Sequence, residues 1–144
     1  MLPITQKELS EYVALKREIN AQKLRADALE RQISRGYENS WWNRRRRSDL
    51  PTDRLVELKI GLEVSIIKDL EILEAQALRI ETAIQAIDEP ILRELMRLRY
   101  LEGLEWDKLG REVGYVPRQC LRLHKVALNR INHTQRADLS ESVK

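Results

Sequence analysis

Over the first ninety residues, two sets of apolar positions fall on narrow stripes. Tyr12, Leu15, Ile19, Ala26, Leu29 and Ile33 lie on one heptad seam, interrupted by the polar Gln22. Ile66, Leu70, Leu73, Ala77, Ile80, Ile84 and Ile87 occupy every three-then-four position of a second. That spacing is the period of one helix face and predicts two long amphipathic helices. Thr5 and Glu8 stand in the order and spacing of a capping box, which predicts the first start, and Gly36 predicts the corresponding end. Residues 36–53, GYENSWWNRRRRSDLPTD, hold turn formers and no apolar period, so they read as a loop, with Thr52 or Asp53 capping the second helix. The two seams predict a coiled-coil region over 4–87, paired either as an antiparallel hairpin within the chain or as a dimerisation arm between two chains.

The pattern then breaks at Asp88, Glu89 and Pro90, a cap candidate followed by a proline suited to a first helical turn. Ile91, Leu92, Leu95, Leu98 and Leu101 keep helical spacing up to Gly103. A short helix fits Trp106 to Val113 before Gly114, and a third runs from about Pro117 to Ile131. Gly114 suits the left-handed backbone of a tight turn. Leu109, Val113, Tyr115, Cys120 and Leu123 are spaced to converge between the two helices, and Gly110 removes bulk where their axes approach. Residues 88–133 thus read as a three-helix module containing a helix-turn-helix, followed by a polar, flexible tail at 134–144. The fold class predicted is all-α.

Composition agrees: the 144 residues are 42% hydrophobic and 34% charged, with aromatics at 5% and no Phe, a profile of amphipathic helices rather than sheets. The net charge of +3 is too small by itself to indicate a polyanionic partner, so its distribution matters more. Val116 to His133 contains no acidic residue, whereas Glu102, Glu105, Asp107 and Glu112 all precede it. Arg118, Gln119 and Arg122 are side chains able to make paired hydrogen bonds to base edges, and Lys125, Arg130 and Arg111 are candidates for phosphates. Double-stranded DNA is the partner this arrangement predicts. In the 36–53 loop, Trp41 and Trp42 precede Arg44, Arg45, Arg46 and Arg47; the run offers an accessory, non-specific anion contact, or else a solvated loop whose tryptophans fold back on the hairpin.

Nothing in the chain carries the signature of an enzyme. The lone Cys120 lies on the apolar side of its helix, His124 has no nucleophile and orienting carboxylate beside it, and there is no glycine-rich phosphate loop. Trp106, at the start of a short amphipathic helix, reads as a packing residue. No cofactor or metal set is expected, and a single cysteine suits a reducing compartment. Met1 to Lys7 leads into amphipathic sequence, and no stretch reaches the roughly 20 apolar residues of a membrane span. A cytoplasmic location follows as the expectation.

The order RLRYLEGLEWDKLGREVGY followed by RLHKVAL resembles the fourth region of bacterial sigma factors, and especially phage and prophage regulators of the ArpU and RinA type. The resemblance covers Pro90 to Ile131; residues 5–87 match those regulators only in general helical character. The family commonly places a threonine or serine cap before the tryptophan and a serine at the start of the second helix of the motif, where this chain has Glu105 and Val116. The resemblance implies binding near a promoter and contact with RNA polymerase. With no room for the other sigma regions, an activator of phage or prophage late genes is expected rather than a complete sigma factor. Two alternatives share the same features: a DNA-packaging subunit like a small terminase, and a coiled-coil adaptor that binds RNA polymerase through its basic helix.

Overall fold

A computed structural model describes residues 4–40 and 51–142, and its regular elements are all helical. They are α1 (Gln6–Ser40), α2 (Pro51–Gln85), α3 (Pro90–Met96), a π-helical turn (Arg97–Leu101), α4 (Trp106–Val113) and α5 (Pro117–Ser142). No strand occurs among the described residues, and no helix there is long and apolar enough to cross a membrane. The chain divides into two compact units, one formed by Leu15–Leu73 and the other by Met1–Ala14 with Glu74–Lys144.

The 15–73 unit is an antiparallel pair made from parts of α1 and α2. Gln22 Nε2 donates to Ser65 Oγ at 3.5 Å, Lys59 pairs with Glu30 at 2.6 Å, and Gly36 lies against Thr52. As the position on α1 advances, its partner on α2 retreats, so of the two pairings open to the seams the within-chain hairpin is present. Ile19, Ala26 and Ile33 are buried at seven-residue intervals. Gln22 is half-buried on the same seam, where a single polar residue favours one register at some cost in stability. Lys59 also reaches Glu63 at 3.1 Å; hydrogen bonds to Glu30 first and Glu63 second push its pKa above the usual lysine value.

The expected ends of these helices need correction. α1 passes through Gly36 to Ser40, and α2 begins at Pro51, so both flanks of the 36–53 segment are helical and only 41–50 lies outside the described residues. A side chain at Gly36 would overlap Oγ1 of the buried Thr52, and the Thr52 Cβ and Cγ2 atoms are also too near for a rotamer change to make room. This glycine therefore serves a close approach between helices rather than a stop. Thr52 and Asp53 fall within the first turn of α2 instead of before it.

In the other unit the Thr5 hydroxyl accepts from the Glu8 amide at 3.2 Å, the first half of the capping box. The Glu8 carboxylate is held by Arg79 at 3.0 Å, which ties α1 to α2. Ile4, Leu9 and Tyr12 are buried, as are Ile80, Ala83, Ile84 and Ile87. At the corner after α2, Arg93 Nη1 donates to the carbonyls of Ile87 at 2.9 Å and Asp88 at 3.3 Å, satisfying acceptors left free where one helix ends. Glu89 is the extended N-cap of α3 and Pro90 its first residue, as the sequence indicates.

The next departure is the π turn. The Glu102 amide bonds to the Arg97 carbonyl at 2.9 Å, one residue further along than an α-helix allows, so the extra residue rotates the buried face. Leu98 and Leu101, expected to continue the stripe of Leu92 and Leu95, are only half-buried, and Tyr100 is buried in their stead. Arg97 is anchored to Glu81 at 2.9 Å. α5 continues to Ser142, beyond the expected end at Ile131. The apolar stripe stops there, but a helical backbone needs only residues that tolerate it, and residues 132–142 contain no proline or glycine to break it.

Candidate nucleic-acid interface

The junction of α4 and α5 is built from its glycines. Gly114 caps α4 with left-handed backbone, φ 80° and ψ 25°, the conformation a residue without a Cβ adopts freely. Its amide and that of Tyr115 both donate to the Gly110 carbonyl, at 2.8 and 3.0 Å, which closes the turn. A Cβ on Gly110 would sit 2.5 Å from the Tyr115 carbonyl oxygen and 3.7 Å from Cys120 Sγ. Its small size is thus required chiefly by the turn's own backbone, with the approach to α5 second. Leu109 and Cys120 are fully buried, and Val113 and Leu123 half-buried. Tyr115 departs from the expected convergence: its side chain is exposed, and its carbonyl is the part that packs.

α5 has two sharply different sides. Cys120, His124, Ala127 and Ile131 are buried, while Arg118, Arg122, Lys125 and Asn129 are exposed. Both rows recur at three- and four-residue spacing, so burial of one turns the other outwards. Arg118, Gln119 and Arg122 line a shallow groove together with Val116. Lys125 continues the basic row beyond that groove. Arg111 is exposed in the last turn of α4. Arg130 stands apart: it lies off the row and pairs with Glu89 at 3.1 Å, which offsets its charge. Arg44, Arg45, Arg46 and Arg47, with Trp41 and Trp42, lie outside the described residues.

Beneath α5 is a polar and aromatic cluster that the apolar pattern did not reveal. The Tyr100 hydroxyl and His124 Nε2 form a buried hydrogen bond, and the Trp106 and His124 rings meet edge to face at 5.1 Å between centroids. Arg99 lies 4.4 Å over the Trp106 ring and donates to the Leu104 carbonyl at 3.0 Å. Burial, reinforced by the Arg99 charge, lowers the His124 pKa from 6.5 to about 4. The ring is therefore neutral near pH 7, and burial raises the pKa of its partner, Tyr100. Trp106 and His124 are thus packing residues that fasten α5 to the π turn and α4. Burial also raises the Cys120 pKa. Among the described residues no group of three or more His, Cys, Asp or Glu is placed to hold a metal ion.

The sequence reading missed Val116 as a groove residue and Asn129 as a member of the exposed row. Asn129 was legible from its spacing after Arg122 and Lys125, whereas Val116 lies before the helix, where periodicity carries no information. Neither a protein-family model nor a curated protein or solved structure matches the chain.

Proposed function

We propose that the protein is a sequence-specific DNA-binding transcription regulator that lays α5 in the major groove. The observation that carries this reading is the exposed row of Arg118, Arg122 and Lys125, opposite a fully packed row on the same helix, with Arg118, Gln119 and Arg122 sharing one groove. A buried opposite side limits how the helix rolls, so its basic side chains project from a rigid support. Arg118 and Arg122 are suited to guanine O6 and N7, Gln119 to adenine N6 and N7, and Lys125 and Arg111 to phosphates. Arg130 contributes to the phosphate set only when it exchanges Glu89 for DNA. The mechanism is recognition, without a chemical step.

The likeness of Pro90 to Ile131 to the fourth sigma region extends the proposal to a promoter-proximal site, a contact with RNA polymerase and activation of late genes in a phage or prophage. The test is selection from random duplex DNA by the whole protein across a salt series, repeated with Arg118→Ala and Arg122→Ala together. The expected result is an enriched motif whose binding weakens with salt as counterions are released, and which the double variant loses while its helical content stays unchanged. An absence of enrichment, or the same motif selected by the double variant, overturns the assignment. Sedimentation separates the packaging alternative, which calls for a ring, from a regulator acting as monomer or dimer.

A further inference from the structure

Val116 is costly where it stands. Its carbonyl accepts the first bond of α5 from the Cys120 amide at 3.1 Å, so it occupies the N-cap, where Ser, Thr, Asp or Asn would satisfy a free amide and valine does not. The residue is 64% exposed, so it contributes little to the core. Both local considerations disfavour an aliphatic residue at this position. Yet the isopropyl group lines the same groove as Arg118, Gln119 and Arg122, the only aliphatic side chain of the four. An edge that combines donors for guanine or adenine with one apolar surface matches the major groove, where the C5 methyl of thymine is the apolar feature of the base edges.

We propose that Val116 is a specificity-determining residue that reads the 5-methyl group of a pyrimidine next to the bases contacted by Arg118, Gln119 and Arg122. The inference rests on the DNA-binding reading above and adds a chemical requirement to it: one position of the site is a thymine recognised through its methyl group. Charge complementarity supports the occupant, because the groove belongs to a stretch, Val116 to His133, that has cations and no acidic residue. Along a helix, residues four apart are separated by about 6 Å, which places the bases read by Arg118 and Arg122 one or two steps apart, with the methyl beyond the amino-terminal one of the pair.

The experiment replaces each thymine of the selected motif in turn by deoxyuridine, which removes a methyl group and leaves every hydrogen-bonding atom in place. Binding is measured with the wild-type chain and with Val116→Ala. At one position uridine should weaken wild-type binding about three- to tenfold, Val116→Ala should bind thymine and uridine there equally, and 5-methylcytosine at that position should be preferred over cytosine by wild type alone. A motif tolerant of uridine throughout, or a uridine penalty that persists in Val116→Ala, overturns the role of Val116 while leaving DNA recognition intact. Failure to select any motif removes both readings together.

Discussion

The two units bury their apolar residues to different depths. Among the described residues of Leu15–Leu73 the buried apolar ones are Ile19, Ala26 and Ile33, whereas Leu24, Leu58, Ile60, Val64, Ile67 and Ile72 are all about half exposed or more. In the unit containing α3, α4 and α5, Leu95, Met96, Leu109 and Cys120 have no exposure at all. A helix with one neighbour can cover a single stripe, and a helix surrounded on several sides can bury most of its circumference. The contrast assigns stability and precision to the unit that carries the basic row. It also shows why the Tyr100 and His124 pair is found there: a hydrogen bond between buried polar groups is worthwhile only where water has been excluded around it.

Single substitutions should separate the units. Leu95→Ala removes a side chain with no exposure and should cost about 2–5 kcal/mol, while Ile66→Ala, on the half-buried seam of α2, should cost about 1 kcal/mol. Hydrogen exchange reads the two units individually, and comparable losses of protection from both substitutions would refute the difference in packing.

The second effect depends on pH. The folded pKa of His124, about 4, lies below the 6.5 of the free imidazole, so the unfolded chain takes up the proton first. Stability from this group is full above about pH 6.5, declines as pH falls towards about 4 and levels off below it. The decline should amount to about 2 kcal/mol after allowance for partial solvation of the ring. It is read as the difference in urea-unfolding profiles between the wild type and His124→Gln. Parallel profiles would mean that His124 is not held neutral.

The glycines sharpen the comparison from the other direction. Gly110→Ala brings a Cβ against backbone at the α4–α5 turn, and should destabilise by about 1–2 kcal/mol. Gly61→Ala, on exposed α2 with nothing near its Cβ, should instead stabilise by about 0.5–1 kcal/mol, since glycine is the poorer residue within a helix. Paired melting curves give both signs, and a stabilising Gly110→Ala would show that the turn has room to relax.

Most of the helical framework was legible in the sequence. Heptad spacing marked the seams of α1 and α2, Pro90 and Gly114 marked ends, and the row of Arg118, Arg122 and Lys125 followed from helical spacing once α5 was assigned. These signals work over a few residues, because hydrogen bonding in a helix and the chemistry of a cap are local. The features that escaped depend on distant neighbours. Gly36 reads as a stop until Thr52 is seen beside it, Arg130 reads as a free cation until Glu89 is seen to hold it, and Glu8 finds its partner 71 residues away in Arg79. The π turn escaped for the same reason: it adds one residue to a helix without altering composition, and its result, Tyr100 turned onto His124, belongs to the packing of α5. The sequence alone determined the order and approximate place of the α-helices and which side of α5 is basic, through periodicity and local backbone preference, but not every helix end. Tertiary structure alone decided which of those charges are already paired, because such proximities arise only when separate segments pack.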